Sequence, residues 1–310
     1  MLAIAFGLVT FVPVRARDLE SHPRPRFGYD SALAELAQRR RYEDSVAVPS
    51  GRSIVLTHGH PAPIAVLLLH GFTNSPRQFD SLGDMLFRDG DNVYIPRLPH
   101  HADRVNGPAS LSGLTSEELR AAADSAMDVT RALGDTVVVL GLSQGGTMGA
   151  WIAQNRAEAS RVVIVAPLMA IARVPKMLDG IVVNLTVRLP DVSHDLDHMD
   201  REPDREVGWS THAVGQILRL GENVERASRR NAPRCPSIAF VMNANDRTIS
   251  AAPVQALARQ WAAEGASVQT YELPASLGLP HDVIDPRQRV KRPDVVYPLL
   301  LDLVAGRRPR

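Results

Sequence analysis

A serine hydroxyl becomes a nucleophile when the chain presents it on a sharp turn and sets charge-stabilising donors beside it. Two stretches of this 310-residue sequence have residues for that. Gly141-Leu142-Ser143-Gln144-Gly145 directly follows the apolar run TVVVL (136–140) and directly precedes a helical stretch reaching about 156. This is G-x-S-x-G in the strand–turn–helix setting that gives the pattern meaning. The turn exposes the Ser143 oxygen, and the glycines, extended by Gly146, admit close backbone approach. The second stretch, His70-Gly71-Phe72-Thr73, follows the apolar run IAVLLL (64–69). Acyl transfer requires N–H donors aimed at a developing oxyanion. Phe72 can supply one and Gln144, the residue after the serine, the other.

These motifs need strands to carry them. Run 64–69 is continuously apolar, as a strand buried on both faces is, and 136–140, 161–166 and 237–242 are apolar after their first residue and read as further strands. Residues 92–95 and 267–273 read as further strands, and 44–48 and 53–58 as two more around a Pro-Ser-Gly turn. Helical stretches are expected at 31–41, 78–88, 253–264 and 294–304. Thr115 with Glu118 forms a capping-box signature for a helix reaching about 133. Repeated alternation of this kind implies an α/β class, a mostly parallel sheet covered on both faces. It lapses after Pro167 and resumes at 237. The block between is charged and helical in composition, and reads as an insertion.

HGFT and GLSQGG together resemble the α/β-hydrolase family, and within it most the carboxylesterase and monoacylglycerol-lipase group, over roughly residues 42–305. The resemblance implies an α/β-hydrolase fold with a helical cap. It divides the chain into an apolar N-terminal segment and linker (1–30), a core (31–167 and 233–310) and a cap (168–232). The family order of serine, acid and histidine points to Asp246, after SIAFVM, and to His281, after the 267–273 strand. Ser143 would attack the carbonyl, His281 would take and return the proton, and Asp246 would orient the imidazole. Asp282 and Asp285 are alternative acids. The activity so implied is that of a serine carboxylesterase acting on small to medium acyl esters, monoacylglycerols among them, through an acyl-enzyme. A thioesterase, an acyltransferase or a serine peptidase would use the same residues. A non-catalytic binding protein on this fold is the alternative from another class.

Within the insertion, Leu168, Met169, Ile171, Val174, Met177, Leu178, Ile181, Val182, Leu185 and Val187 recur at spacings of three and four, as in one amphipathic helix or two short ones. Such a surface packs the cap, and part of it, with Trp209, is expected to line a substrate pocket; Met169 and Met177 are the other residues placed there. One departure concerns Arg97-Leu98-Pro99-His100-His101-Ala102, which stands where relatives have a leucine–x-Gly-His-Gly turn. His101 fits the histidine, but His100 and Ala102 replace the glycines.

Composition narrows the partners. Thirty-five basic against 34 acidic residues leave a net charge of +1, which gives no electrostatic reason to expect nucleic acid. One cysteine, Cys235, excludes an intrachain disulfide framework and thiolate-rich metal sites. His58-Gly-His60 and His194-Asp-x-Asp-His198-x-Asp200 cluster metal-ligating types, but the first lacks a following Asp-His and the second suits a solvated acidic helix end. No cofactor or metal is expected. A small-molecule ester is the expected partner, with membrane contact through residues 1–17 alone. Residues 2–14 are apolar and would span about 20 Å as a helix, short of a bilayer core of about 30 Å. They suit a partial signal or anchor, or a terminal segment docked on the body, so location stays open between cytoplasm and export. Residues 18–30 read as a linker.

Overall fold

The computed structural model describes residues 10–12, 14, 19–195 and 208–309. In chain order its first elements are α1 (Tyr29–Val46), β1 (Ile54–Leu56), β2 (Ala62–Leu69), α2 (Asp80–Arg88), β3 (Asn92–Ile95), α3 (Ser116–Leu133) and β4 (Gly134–Leu142). Next come α4 (Gln144–Asn155), β5 (Ala159–Val165), α5 (Asp179–Arg188), β6 (Ser193–Asp195), β7 (Gly208–Ser210) and α6 (Thr211–Ser228). The last are β8 (Ser237–Asn243), α7 (Ala251–Ala263), β9 (Ser267–Leu273) and α8 (Pro293–Ala305).

The apolar runs form the middle of a seven-stranded sheet ordered β1-β3-β2-β4-β5-β8-β9. Only β1 is antiparallel, to β3; every other pairing is parallel. From β2 the chain moves to β3 on one side, and from β3 it crosses back to β4, β5 and β8 on the other. Right-handed crossovers then set α2 on one face of the sheet and α3, α4 and α7 on the other. Where the direction reverses, a crevice opens at the carboxyl ends of β2 and β4. The loop after β2 starts HGFT, and the turn after β4 holds Ser143. The capping box is formed: Thr115 Oγ1 accepts the Glu118 N–H at 3.2 Å, and Glu118 Oε2 accepts the Thr115 N–H at 2.9 Å.

Three sequence expectations change. Residues 44–46 are not strand but the last turn of α1, and Ala47 forms a lone bridge to Asp103. The continued helix buries Glu43, whose carboxylate accepts the Ser53 N–H at 2.7 Å and the Ser53 hydroxyl at 2.6 Å. The apolar spacing at 168–187 yields helix only from Asp179, because Pro175 ends the preceding stretch in an extended conformation. A two-stranded hairpin, β6–β7, then precedes α6, which packs on α3, α4 and α5. Finally, 19–24 is a docked strap. Ser21 Oγ donates to Asp124 Oδ1 (2.6 Å), the His22 N–H to Asp124 Oδ2 (2.8 Å), and the Arg24 N–H to Asp128 Oδ2 (3.0 Å). Trp151 Nε1 donates to the Leu19 carbonyl at 2.9 Å. Arg156, fully buried, holds both carboxylates at 2.7 Å from beneath.

Further out, Asn184 of α5 donates from Nδ2 to the Thr10 carbonyl (2.8 Å) and accepts the Val14 N–H (3.0 Å). Among the described residues no helix is long and apolar enough to cross a membrane. Residues 2–9 and 13 of the apolar segment, and Asp197, His198 and Asp200 of the acidic cluster, lie outside the described residues.

Candidate active site

Ser143 sits between β4 and α4 at φ 56°, ψ −114°, a region β-carbon residues avoid at a cost of about 1–3 kcal/mol. Its neighbours fix it there. The Ser143 N–H donates to Val165 O (3.0 Å), and its carbonyl accepts the N–H groups of Thr147 (2.9 Å) and Leu168 (3.2 Å). The glycines are needed for approach: a Cβ on Gly145 would stand 1.9 Å from Leu69 O, and one on Gly141 2.1 Å from Gly145 O. The residue is only 7% exposed.

His281 and Asp246 come from the turns after β9 and β8. His281 Nδ1 lies 2.6 Å from Asp246 Oδ2. Asp246 Oδ1 accepts the N–H of Thr248 (2.8 Å) and Ile249 (3.3 Å). Burial opposes ionisation of Asp246, but the hydrogen bond and charge of His281, with those backbone N–H groups, outweigh it and hold the carboxyl below its ordinary range. The His281 turn is pinned by amides at the end of β8: Asn243 Nδ2 donates to Leu279 O and Pro280 O (3.0 and 2.8 Å), and Asn245 Nδ2 to Leu279 O (3.0 Å). With Nδ1–H given to the carboxylate, Nε2 is the free basic nitrogen. It has no hydrogen-bond partner among the described residues. The alternative acids are engaged elsewhere; Asp285, for one, accepts Arg287 Nε at 2.8 Å.

Ser143 and His281 line one cavity of about 580 Å³, together with Phe72. Among the described residues nothing accepts the Phe72 N–H, and Gln144, as the first residue of α4, has an N–H without an intrahelical acceptor. The strand ends contribute Asn74, Gln78, Asp282 and Gln288 to the lining, and the insertion contributes Leu168, Ile171, Thr186, Trp209 and Val214. Trp209 lines this cavity. Met177 does not: it is 86% exposed in the short turn before α5, which points it to solvent. Met169 is buried but faces a small void with Val182 and Leu218, behind the cavity wall. The polar lining from the strand ends went unread in the sequence; Asp282, adjoining His281, was its one visible sign.

The departing loop takes the backbone that glycine would give. His100 and Ala102 have φ of 65° and 54°. His100 Nε2 reaches Glu118 Oε1 at 3.2 Å, and the Ala102 carbonyl accepts the Val48 N–H at 3.0 Å. Under Phe72, the rings of His70 and His101 meet edge-on at 4.9 Å. His70 Nδ1–H donates to Gly71 O (3.0 Å) and Nε2 accepts the Leu98 N–H (3.2 Å), so His70 is the neutral Nδ1–H tautomer. Burial, with His101 and Arg97 nearby, pushes its pKa well down. Burial likewise brings His101 to about 4, although its bond to Pro99 O opposes this. His58 stacks on Phe87 and its Nε2 meets Phe87 O at 3.1 Å. Among the described residues no three His, Cys, Asp or Glu are grouped as a metal would need. Cys235 is buried away from the cavity, its thiol pushed up to about 11 by burial.

Known proteins agree with this architecture. A curated relative, a thermostable monoacylglycerol lipase from Bacillus sp. (strain H-257), is 25% identical over 183 residues, which are 58% of this chain and 69% of that one. Among solved structures, one reported for the metagenome-derived lipolytic enzymes LipS and LipT superposes with a TM-score of 0.61 at 17% identity, over 84% of this chain and 99% of that one. A soluble variant of monoglyceride lipase from Saccharomyces cerevisiae, bound to a substrate analogue, gives 0.63 at 15% identity, over 82% and 89%. The profile of the Alpha/beta hydrolase family matches residues 66–290, and the chain belongs to that family.

Proposed function

We propose that this protein is a serine carboxylesterase acting on small to medium acyl esters, with monoacylglycerols as a natural subset. The observation that carries the reading is the pairing of His281 Nδ1 with Asp246 at 2.6 Å, with Nε2 left unpartnered on the cavity that Ser143 lines. Ser143 Oγ attacks the ester carbonyl while His281 Nε2 takes its proton, and Asp246 stabilises the imidazolium that forms. The Phe72 and Gln144 N–H groups receive the oxyanion. Collapse expels the alcohol, which takes the proton from His281. Water, deprotonated by the same nitrogen, then attacks the acyl-enzyme and releases the acid. The mixed lining suits an ester with an apolar acyl part and a polar alcohol, and the relatives named as monoacylglycerol lipases support that class.

The test is covalent labelling with a fluorophosphonate beside hydrolysis of p-nitrophenyl esters of increasing acyl length, thioesters and dipeptides. The unmodified protein labels once and prefers the esters; Ser143→Ala does neither. Absence of both labelling and ester turnover in the unmodified protein would sink the reading. A preference for thioesters or dipeptides would move it to another hydrolase class.

A further inference from the structure

The loop carrying Phe72 and the turn carrying His281 meet through one carboxylate that the reaction above does not use. Asp282 Oδ2 accepts Gln78 Nε2–H at 2.8 Å, Gln288 Nε2–H at 3.0 Å and Asn74 Nδ2–H at 3.2 Å, while Oδ1 accepts the N–H groups of Ile284 and Asp285, each at 3.1 Å. Five donors thus converge on a group with roughly four lone-pair sites, so Asp282 has no capacity left to act as a base. Gln78, only 2% exposed, is used at both ends of its amide. Nε2–H goes to Asp282, and Oε1 accepts the Gly71 N–H at 2.8 Å.

An amide can turn over with little change of shape. Turned over, Gln78 would set its NH₂ against the Gly71 N–H and its oxygen against a carboxylate. An acceptor at 282 therefore fixes which way Gln78 faces. Binding Gly71 N–H inward leaves the next amide, Phe72, as the loop's donor to the cavity. We propose that Asp282 and Gln78 are positioning residues for the oxyanion loop: Asp282 orients the Gln78 amide, which holds Gly71 and aims the Phe72 N–H at the ester carbonyl oxygen. This rests on the esterase reading of the same site.

The experiment is a swap cycle, Gln78→Glu, Asp282→Asn and the double variant, with kcat and KM for p-nitrophenyl butyrate, thermal midpoint, and the rate of fluorophosphonate labelling. Gln78→Glu keeps an acceptor at Gly71 but faces carboxylate with carboxylate; Asp282→Asn sets an NH₂ against the side-chain amides or, turned over, against the Ile284 and Asp285 N–H groups. Each single variant should lose about 10–100-fold in kcat, less than deletion of an oxyanion donor, with KM within threefold. In the double variant the donor and acceptor exchange sides, and kcat should recover at least tenfold from the worse single. A role in folding alone would lower the thermal midpoint without that recovery. Singles with unchanged kcat, or a double no better than the worse single, overturn the proposal. Should the swap variants fail to fold, Gln78→Met decides: a fall in kcat at constant KM supports the proposal and an unchanged kcat overturns it. Lack of labelling in the unmodified protein would instead remove the esterase reading, and this inference with it.

Discussion

At the strand ends, each group of the cavity is placed by partners. Ser143 is locked by Val165, Thr147 and Leu168, Asp246 by two backbone N–H groups, and the His281 turn by Asn243 and Asn245. Across the cavity, Leu168, Ile171, Trp209 and Val214 of the insertion contribute chiefly apolar surface and shape. The first side sets where atoms and charges stand to within a hydrogen bond's tolerance. The second sets how much room an acyl group has. Chemistry and selectivity should accordingly respond to different substitutions.

Asp246→Asn tests the first side most severely. Losing the carboxylate mis-sets the His281 tautomer, and kcat should drop by about 10⁴-fold with a small change in KM, read by steady-state kinetics. Retained activity would show that the Asp246 carboxylate is not what orients His281 in the reaction. On the second side, Trp209→Ala should shift the preference among acyl lengths by about tenfold while labelling of Ser143 by a small phosphonate stays within threefold. A uniform loss across all esters would join the two sides into one unit.

The His70–His101 pair sharpens the contrast between a histidine that works and histidines that hold. Both are kept neutral by burial, His101 down to about 4, while in the unfolded chain they protonate near 6.5. The unfolded state then binds more protons between those values, so stability falls as pH drops from about 6.5 toward 4. His101→Asn, which keeps a donor for Pro99 O, should flatten that slope in urea titrations at successive pH. The smallest effect is expected at Ala102. Its φ of 54° suits glycine, so Ala102→Gly should be neutral or stabilise by about 0.5 kcal/mol, and a clear loss would mean the methyl is needed against Gly51.

What the sequence disclosed follows the same division. The placing of Ser143 and Phe72 on one cavity, with Gln144 opening α4, is legible because a sharp strand–helix turn and the loop after β2 constrain residue type at fixed offsets. Asp246 and His281 were legible through chain order. Met169 and Met177 were misplaced because apolar spacing says that a surface is buried, not which cavity it faces, and Pro175 broke the implied helix. Gln78 and Asp282 are ordinary polar residues whose pairing spans most of the chain, a relation no local pattern carries. The same holds for Ser21 and Arg24, whose partners on α3 lie about a hundred residues on.

That strap has a consequence for how the molecule is made. Leu19 cannot find its indole donor until Trp151 exists, nor can Ser21 and Arg24 until α3 has formed. During N-to-C synthesis the strap must wait, its hydrogen-bonding groups unpaired, while the β2–β4 half of the sheet is assembled. Closing contacts so far apart in sequence is slow. Docking of the strap should therefore be among the last events of folding, and freshly made chains should be most exposed to proteases and self-association at residues the finished protein covers.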